Sequence, residues 1–263
     1  MTPDFSKPLT GRVALVTGVS RRVGIGYALA KRLLDDGASV FVQSWSEHDR
    51  EQPWAPGEDE SAIVLAELLN ISSEVAGAEV DLADPMAPSD LVAKVIDRFG
   101  ALDILVCNHA RSSDEDLMHV TAHELDMSFA VNTRATILLT QAFARLRTSG
   151  RKGGRVILFT SGQHLGAMPG ELGYVASKGA VHQITATLAD EVATFGITVN
   201  TINPGPTDTG WASPEELKET LARFRLGRWG EPDDAARLVA WLVSDEAAWI
   251  TGQIFNSEGG FRR

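Results

Sequence analysis

The sequence predicts an α/β fold: a single-domain doubly wound parallel sheet, Rossmann-like, with helices on both faces, extending over residues 1–263. Short apolar runs of strand length alternate with longer segments of helical pattern. The apolar runs are nearly continuous, which indicates strands buried on both faces and therefore a parallel sheet. No internal repeat or linker divides the chain, and right-handed crossovers between such strands produce the doubly wound arrangement.

The predicted elements alternate in type along the chain. The strands are Val13–Val16, Ser39–Gln43, Ile104–Cys107, Val156–Phe159, Ile197–Ile202 and Gln253–Phe255. The helices are Gly26–Leu34, Ser89–Phe99, His123–Arg147, Tyr174–Phe195 and Asp233–Ser244. The first helix is expected to stop at Asp36-Gly37, because glycine takes the left-handed conformation that closes many helices.

Composition restricts the class of function. The formal net charge is -11 and the pI is about 5.0. Such a surface argues against nucleic acid, since phosphate binding needs clustered Lys and Arg, and weakly against acidic partners. The single cysteine, Cys107, permits no intrachain disulfide and fits a reducing, cytoplasmic location. The polar start of the chain lacks a signal-peptide pattern, and no apolar run is long enough to predict a membrane span.

A glycine-rich loop joins the first strand to the first helix. It runs from Thr17 to Gly26 and places Gly18, Ser20, Gly24 and Ile25 between them. Glycines let the backbone approach a pyrophosphate, and the helix N-terminus offers free N–H groups and a partial positive charge. The loop therefore predicts a dinucleotide phosphate site, with a plain strand–helix turn as the alternative. The long Ser44–Ser61 segment is either a surface insertion or a flap over the adenosine end of such a cofactor.

A phenol and an ammonium lie one helical turn apart at Tyr174 and Lys178, so they share a helix face. A phenol has a pKa near 10, and a neighbouring cation lowers it towards the range useful for acid–base catalysis. Ser161 follows the strand at 156–160, at the sheet edge where doubly wound folds bind ligands. Asn132 lies mid-helix, where asparagine is unfavourable; it is either a functional or a packing amide.

These residues together resemble the short-chain dehydrogenase/reductase family over essentially the whole chain. The ordered set is Thr17-Gly18, Gly24-Ile25-Gly26, Asp81-Leu82, Cys107-Asn108-His109-Ala110, Asn132, Ser161, Tyr174, Lys178, Asn203-Pro204-Gly205 and Thr209. The resemblance implies that Tyr174 exchanges the proton with substrate and that Lys178 holds the nicotinamide ribose. It also implies that Ser161 hydrogen-bonds the substrate oxygen, while Asn132 anchors a water in a proton relay.

The resemblance also implies the cofactor contacts of a single NAD(P)-binding domain. Asp81 would contact the adenine amine, with Leu82, Asn108, His109 and Ala110 nearby, and the turn containing Pro204, Gly205, Thr207 and Thr209 would hold the nicotinamide amide. The sequence departs from the common family form in two places. The phosphate loop is two residues longer, and the usual Asn-Asn-Ala-Gly stretch reads Cys-Asn-His-Ala at 107–110.

The cofactor is predicted to be NADP, with NAD as the alternative. An NAD enzyme usually places an acid at the end of the second strand, but Ser44 occupies that position. The phosphate loop carries Arg21 and Arg22, and an arginine can clamp a 2′-phosphate. Two observations leave the alternative open: both arginines could point into solvent, and the acids at 47, 49 and 51 could reverse the local field.

The predicted function is hydride transfer between NADP(H) and a carbonyl/alcohol substrate, similar to the 3-oxoacyl-carrier-protein reductase branch or to a small-ketone reductase. The alternatives are an NAD-linked alcohol or sugar dehydrogenase and a non-catalytic cofactor-sensing protein; the complete tetrad argues against the latter. Phe195 stands where the carrier-protein branch has an arginine, which argues against an acidic carrier. Substrate-contact candidates are Gln163, His164, Leu172 and Trp211, with loop or packing roles as their alternatives.

Two further patterns concern metals and assembly. His119 and His123 have metal-ligand spacing, but Thr121 and Glu124 form a capping pattern that leaves His119 outside the helix, so no metal site is predicted. The resemblance implies that the long helices at 123–147 and 174–195 pair across a two-fold axis, giving a homo-oligomer, a dimer or a tetramer. Val175, Val181 and Leu188 are candidates for the outward apolar stripe.

Overall fold

A computed structural model of the chain describes residues 7–52, 55, 59–112, 114–146 and 153–263, and these contain a seven-stranded sheet in the order β3-β2-β1-β4-β5-β6-β7. The strands are β1 Val13–Thr17, β2 Ser39–Ser44, β3 Val75–Glu79, β4 Ile104–Cys107, β5 Gly154–Phe159, β6 Ile197–Asn203 and β7 Ile254–Asn256. Every neighbouring pair is parallel. The predicted doubly wound parallel fold is confirmed.

Helices cover both faces of this sheet. They are α1 Ile25–Asp35, α2 Ser46–Arg50, α3 Glu60–Ile71, α4 Ala87–Phe99, α5 Ala122–Ser128, α6 Ala135–Arg145, α7 Leu172–Val192, α8 Pro214–Leu221 and α9 Pro232–Val243. Alternation along β1 divides its side chains between the two faces: Val16 joins the apolar cluster under α1 and α9. Leu15 joins the cluster on the opposite face under α4, α6 and α7. All five β1 residues are buried, as a parallel central strand requires.

Four elements were not predicted, namely β3, α2, α3 and α8. The β3 sequence is Val-Ala-Gly-Ala-Glu, which has one β-branched residue and a glycine and so carries little strand signal. The α8 helix has no buried residue, and its only apolar side chains besides the initial proline are Leu217 and Leu221, which is too short a pattern to predict a helix. Its start was nevertheless readable, because Ser213 and Glu216 form a capping box.

The predicted helix at 123–147 is interrupted. It consists of α5, a π-turn at Phe129–Arg134 and α6, and its predicted end at Arg147 lies outside the described residues. A π-turn is uncommon and is often associated with a functional site. The helix predicted from Tyr174 begins two residues earlier, and its last turn is a 3-10 segment, Ala193–Phe195.

The strand order places the ligand-binding crevice. The chain crosses from β1 to β2 on one side and later reaches β4 on the other side, so the loops after β1 and β4 diverge. Doubly wound folds bind ligands at this divergence, beyond the carboxyl ends of the strands. The loops there begin with Gly18 and Asn108, two of the predicted cofactor-binding residues.

Candidate active site

Two glycines shape the loop after β1. Gly18 has φ +74°, and a Cβ there would lie 2.8 Å from the Cα of His109. A Cβ on Gly26 would lie 2.2 Å from the Gly18 carbonyl oxygen. Neither position accepts a side chain, so the backbone passes directly over the start of α1. Within the described chain, no side-chain hydrogen bond caps α1 at Gly24, which leaves its first N–H groups for an anion.

Gln43 fixes this loop to the sheet, and sequence reasoning missed its role. Its Oε1 accepts a hydrogen bond from the Gly18 N–H at 3.0 Å. Its Nε2 donates to the carbonyl oxygens of Ser44 at 3.0 Å and Val80 at 2.7 Å. The Gln43 carbonyl also accepts from Val19 N at 2.9 Å. In the sequence, the only signal for this role was a polar residue directly after the apolar run of the second strand.

A cavity of about 360 Å³ opens beside the loop. Most predicted cofactor residues line it: Gly18, Ser20, Arg21, Gly24, Ile25, Gly26, Asp81, Leu82, Asn108, His109, Ala110 and Thr209. The predicted residues that lie outside it are Arg22, Ser44, Tyr174, Lys178, Pro204, Gly205 and Thr207. Lining residues that were not predicted as contacts include Gln43, Trp45, His48, Arg111, Met127 and Val131. The cavity therefore gathers the phosphate and adenosine side of the predicted site.

The two loop arginines have different environments. Arg21 lines the cavity, and its Nη1 donates to the Thr209 carbonyl at 2.9 Å. Arg22 turns away, with its Nε 3.0 Å from Glu60 Oε1 and its Nη1 3.6 Å from Glu67. Both of these acids belong to α3, which the sequence did not predict. The structure therefore does not place Arg22 among the residues that line the cavity, and its contact with a 2′-phosphate stays a prediction.

The segment after β2 forms an acidic wall of this cavity. Its lining residues include Glu47, Asp49 and Glu51, as the flap interpretation of this segment predicts. Asp49 is 8% exposed, and its Oδ2 is buried without a hydrogen-bond partner among the residues that the structure describes. Ser44 instead lines an adjoining cavity of about 380 Å³, which shares Ser20 and Asp49 with the first. A buried carboxylate oxygen without a partner is suited to accept a hydrogen bond from a ligand.

His109 connects the loop after β4 to the π-turn. Its Nδ1 lies 2.7 Å from Thr17 Oγ1 and its Nε2 lies 3.0 Å from the Val131 carbonyl oxygen. A carbonyl only accepts, so Nε2 carries the hydrogen and Nδ1 is left as an acceptor facing the hydroxyl. Burial, with the Lys178 charge adding to it, lowers the pKa of His109 to about 3. The ring is therefore a neutral structural link, which gives a reason for the unusual residue at this position.

The Asn132 amide group makes three hydrogen bonds. Its Nδ2 donates to the Arg111 carbonyl at 2.9 Å and to Ser177 Oγ at 2.9 Å. Its Oδ1 accepts from Arg111 N at 2.7 Å. The side chain thus joins the loop after β4 to Ser177 of α7, which lies three residues after Tyr174. Its role in a water relay stays a prediction.

Ser161, Tyr174 and Lys178 meet at the carboxyl end of β5. Lys178 Nζ donates to the Phe159 carbonyl at 2.9 Å and lies 5.9 Å from the centre of the Tyr174 ring. Burial raises the pKa of Tyr174 to about 12, against a lowering by its hydrogen bond with Ser161 and with a further rise from the Glu171 charge. Burial also lowers the pKa of Lys178 to about 8. The ammonium is directed at the β5 carbonyl, and the lowering of the phenol pKa by Lys178 stays a prediction.

Three of the predicted substrate contacts, Gln163, His164 and Trp211, lie on loops, and the fourth, Leu172, is the first residue of α7. Gln163 Nε2 donates to Thr160 Oγ1 at 3.1 Å. The exposed His164 ring packs against His182, with 4.3 Å between ring centres and the ring planes tilted by 40°. Trp211 is 48% exposed and donates from Nε1 to the Thr207 carbonyl at 3.0 Å. Leu172 donates its N–H to the Glu115 carbonyl at 3.1 Å. Contact of these residues with substrate stays a prediction.

The capping pattern predicted at Thr121 and Glu124 is present at the start of α5, and the single cysteine lies in the core. Thr121 caps α5 by accepting from Glu124 N at 3.1 Å, and His119 lies outside the helix, 2.6 Å from Asp116. Cys107 is buried, and burial raises the pKa of its thiol to about 12. Among the described residues, no three His, Cys, Asp or Glu side chains are grouped to hold a metal ion.

In the part of the chain that the structure describes, no helix has the length and apolar character needed to cross a bilayer.

Comparison with known proteins gives consistent matches over nearly the whole chain. Residues 18–262 match a family model described as enoyl-(acyl carrier protein) reductase. The uncharacterized oxidoreductase YjdA of Bacillus subtilis is 41% identical over 253 residues, covering 96% of this chain and 97% of the relative. A 3-oxoacyl-[acyl-carrier-protein] reductase of a Synechocystis species is 32% identical, with 96% and 97% covered. A Burkholderia cenocepacia short chain dehydrogenase, solved in complex with NADP, superposes with a TM-score of 0.85 at 34% identity, with 96% and 98% covered.

Proposed function

The chain belongs to the short-chain dehydrogenase/reductase family, and from that premise we propose that it interconverts a carbonyl and an alcohol on a small-molecule substrate, with NADP(H) as the hydride carrier. The observation that carries this proposal is the cluster of Ser161, Tyr174 and Lys178 beside a glycine-shaped phosphate loop. A complete acid–base cluster favours catalysis over a cofactor-sensing role.

The residues present fit a dinucleotide. Gly18 and Gly26 have no room for a side chain, so only the loop backbone would contact a ligand there. The uncapped start of α1 offers N–H groups to a pyrophosphate. Asp81 and Leu82 would lie along the adenine, and Arg21 would face a 2′-phosphate. When bound, NADP(H) supplies the hydride for carbonyl reduction or accepts it from an alcohol.

Tyr174 is the proposed proton donor. A phenol whose pKa is about 12 keeps its proton at neutral pH, so the resting site is ready to protonate a carbonyl oxygen as the carbonyl carbon receives a hydride. Ser161, already hydrogen-bonded to the phenol, would donate to the same oxygen. Lys178 remains mostly protonated at pH 7 with its pKa near 8, and its charge would stabilise the phenolate that forms. The protonated phenol is the form that carbonyl reduction requires, and the phenolate is the form that alcohol oxidation requires.

Cofactor choice rests on two opposing groups. Arg21 lines the cavity and can clamp a phosphate, while Ser44 places no acid at the end of β2. Asp49, Glu47 and Glu51 oppose a 2′-phosphate by charge. We propose NADP(H) as the preferred carrier. The unpartnered Asp49 oxygen supports the second candidate, an NAD-linked alcohol or sugar dehydrogenase, because it could accept from a ribose hydroxyl.

Substrate, location and assembly are also proposals. The 3-oxoacyl branch and small ketones are the substrate classes to test first. The phenylalanine at 195 and the acidic net charge argue against delivery on an acidic carrier. A cytoplasmic homo-oligomer, a dimer or tetramer, is supported by the exposed Leu125 and Phe129 on the interrupted helix. Val181 is 1% exposed and belongs to the core, so its predicted place on an outward stripe is wrong.

The test is a reductase screen of the purified chain. NADPH and NADH oxidation is followed by absorbance with a panel of aliphatic ketones, cyclic ketones and 3-oxoacyl thioesters, and binding of both cofactors is titrated by fluorescence. We expect turnover with at least one carbonyl class and at least tenfold tighter NADPH, about 1.4 kcal/mol. Binding of either cofactor without turnover of any carbonyl or alcohol would instead support the cofactor-sensing alternative.

A further inference from the structure

Arg263 occupies space that two glycines leave open beside Ser161. A Cβ on the buried Gly162 would lie 1.5 Å from Nη2 and 2.1 Å from Cζ of Arg263. A Cβ on Gly166 would lie 2.9 Å from both Cβ and Cδ of the same side chain. Neither glycine has a positive φ, so backbone conformation does not require glycine there. The two glycines instead admit the arginine side chain against the backbone of residues 161–171, the Ser161 loop.

The other side of the guanidinium faces the turn after β6. Arg263 forms an ion pair with Glu258. Glu258 Oε1 also accepts from Asn203 Nδ2 at 2.9 Å, and Asn203 Oδ1 accepts from Gly205 N at 3.0 Å. A Cβ on Gly205 would lie 2.9 Å from Glu258 Cα. A single arginine thus touches the Ser161 loop directly and reaches the turn at Asn203–Gly205 through one carboxylate.

We propose that Arg263 is a positioning residue for the reaction, which fixes the Ser161 loop relative to the Asn203–Gly205 turn and thereby holds Ser161 in place; this inference rests on the proposed function. The side chain is 18% exposed and its partner Glu258 is 9% exposed, so the pair is largely shielded from water. Removing one member of a shielded pair leaves an uncompensated charge, which would loosen both segments.

The local charge balance favours positioning over recruitment of an anionic substrate. Arg263 is already paired with Glu258. It also lowers the pKa of Glu171, which burial and the Asp114 charge raise. Arg263 therefore interacts with two acids, Glu258 and Glu171, and an added anion would have to compete with both of them. Phe261, whose ring lies 5.5 Å from the guanidinium carbon, supports the arginine from the same segment.

The test compares Arg263→Ala with a matched neighbour. Arg262→Ala removes the same charge one residue earlier, from an exposed side chain whose residue contacts Arg223 through its backbone. Arg263→Lys retains the charge without the planar guanidinium. Each full-length variant is examined by amide hydrogen exchange over residues 161–171 and 203–209, by NADPH titration and by steady-state reduction of a ketone that the parent protein turns over.

We expect Arg263→Ala to raise exchange in both segments and to lower kcat by about 10- to 100-fold, the effect of small misplacement of a reacting group. NADPH affinity should fall less than kcat, Arg263→Lys should recover part of the loss, and Arg262→Ala should match the parent. Unchanged exchange at 161–171 in Arg263→Ala would overturn the inference even if the parent had no activity, which separates it from the proposed function. A lower Tm with unchanged kcat and exchange would also overturn it.

A second variant tests the steric argument independently of charge. Gly162→Ala places a methyl group where the guanidinium lies and should reproduce the effect of Arg263→Ala on exchange and kcat. Added to Arg263→Ala, it should cause less than a twofold further loss, because the two changes act on one contact. Losses that multiply in the double variant would contradict a shared contact.

Discussion

Lowering the pH should destabilise the protein through His109, whose imidazole is held neutral in the folded state. Burial and then the Lys178 charge lower its pKa to about 3, against 6.5 for an unperturbed ring. Between these values the unfolded chain binds a proton that the native protein excludes. The stability associated with the neutral ring is therefore complete above pH 6.5 and is lost as the pH falls towards 3.

The magnitude follows from the width of this window. Well inside it, each pH unit changes the free energy of unfolding by about 1.4 kcal/mol. Between pH 7 and pH 5 the loss due to this single ring is about 2 kcal/mol, because the upper part of the interval precedes most of the titration. Domains of ordinary stability have roughly 5–15 kcal/mol in total, so the effect is large enough to measure.

The perturbation is His109→Gln, which can donate an N–H to the Val131 carbonyl and place an oxygen near the Thr17 hydroxyl but does not titrate. Urea unfolding is followed by tryptophan fluorescence at pH 7, 6 and 5 for both proteins. The parent should lose about 2 kcal/mol more than the variant between pH 7 and pH 5. His123→Gln, at an exposed histidine, is the matched control and should retain the parent slope.

Equal pH slopes in the parent and in His109→Gln would refute the assignment of this ring as a buried neutral group. If His123→Gln instead shows the smaller loss of stability between pH 7 and pH 5, the acid sensitivity arises at the exposed His123 and not at His109. If His109→Gln is less stable than the parent at every pH, the comparison still holds. Only the change of the free energy of unfolding with pH is assigned to titration.

Three further predictions concern the cofactor and the reaction. Tyr174→Phe should lower turnover by about 10²- to 10⁴-fold with NADPH affinity within twofold, measured by steady-state kinetics and fluorescence titration; near-parent turnover would exclude Tyr174 as the proton donor. Arg21→Ala should weaken NADPH binding about tenfold and NADH binding little. Arg22→Ala breaks the ion pair with Glu60 outside the cavity and should change NADPH binding less than twofold. A larger loss of NADPH affinity in Arg22→Ala than in Arg21→Ala would show that Arg22 is the residue that contacts the 2′-phosphate. Asp49→Asn should tighten NADPH binding several-fold by removing a facing charge, and a weaker NADPH complex would mean that the carboxylate serves the ligand directly.

The parts of the fold that were predictable have strong local patterns. The apolar runs in β1, β4 and β5 and the β-branched residues of β6 identify buried parallel strands, and the glycine-rich loop identifies the first crossover. β3 could not be identified in this way, since its pairing with β2 compensates for a weak strand sequence. The π-turn could not be read either, because its sequence has an ordinary helical pattern.

In the candidate site, the spacing of Tyr174 and Lys178 predicted that they lie close together on one helix, as they do; their catalytic roles stay predictions. The environment of a side chain was not predictable where its partner depends on how distant segments pack. Arg22 pairs with Glu60 because α3 lies opposite the loop, and α3 was missed. Gln43 and Asp49 depend on tertiary contacts that have no short-range signature. The ammonium of Lys178 is directed by a carbonyl 19 residues away, so its effect on the phenol could not be judged from spacing alone.

The hydrogen-bonded bridge from Thr17 through His109 to Val131 also limits which residues homologues can have at positions 17 and 109. Position 109 supplies a donor to a backbone carbonyl inside the π-turn and an acceptor to a hydroxyl on β1. A buried carbonyl that loses its donor must find another, so a homologue with alanine at 109 needs a water molecule or an uninterrupted helix at the position of Val131. Positions 17 and 109 should therefore vary together in evolution, and a chimera that exchanges β1 alone between such homologues should be less stable than either parent.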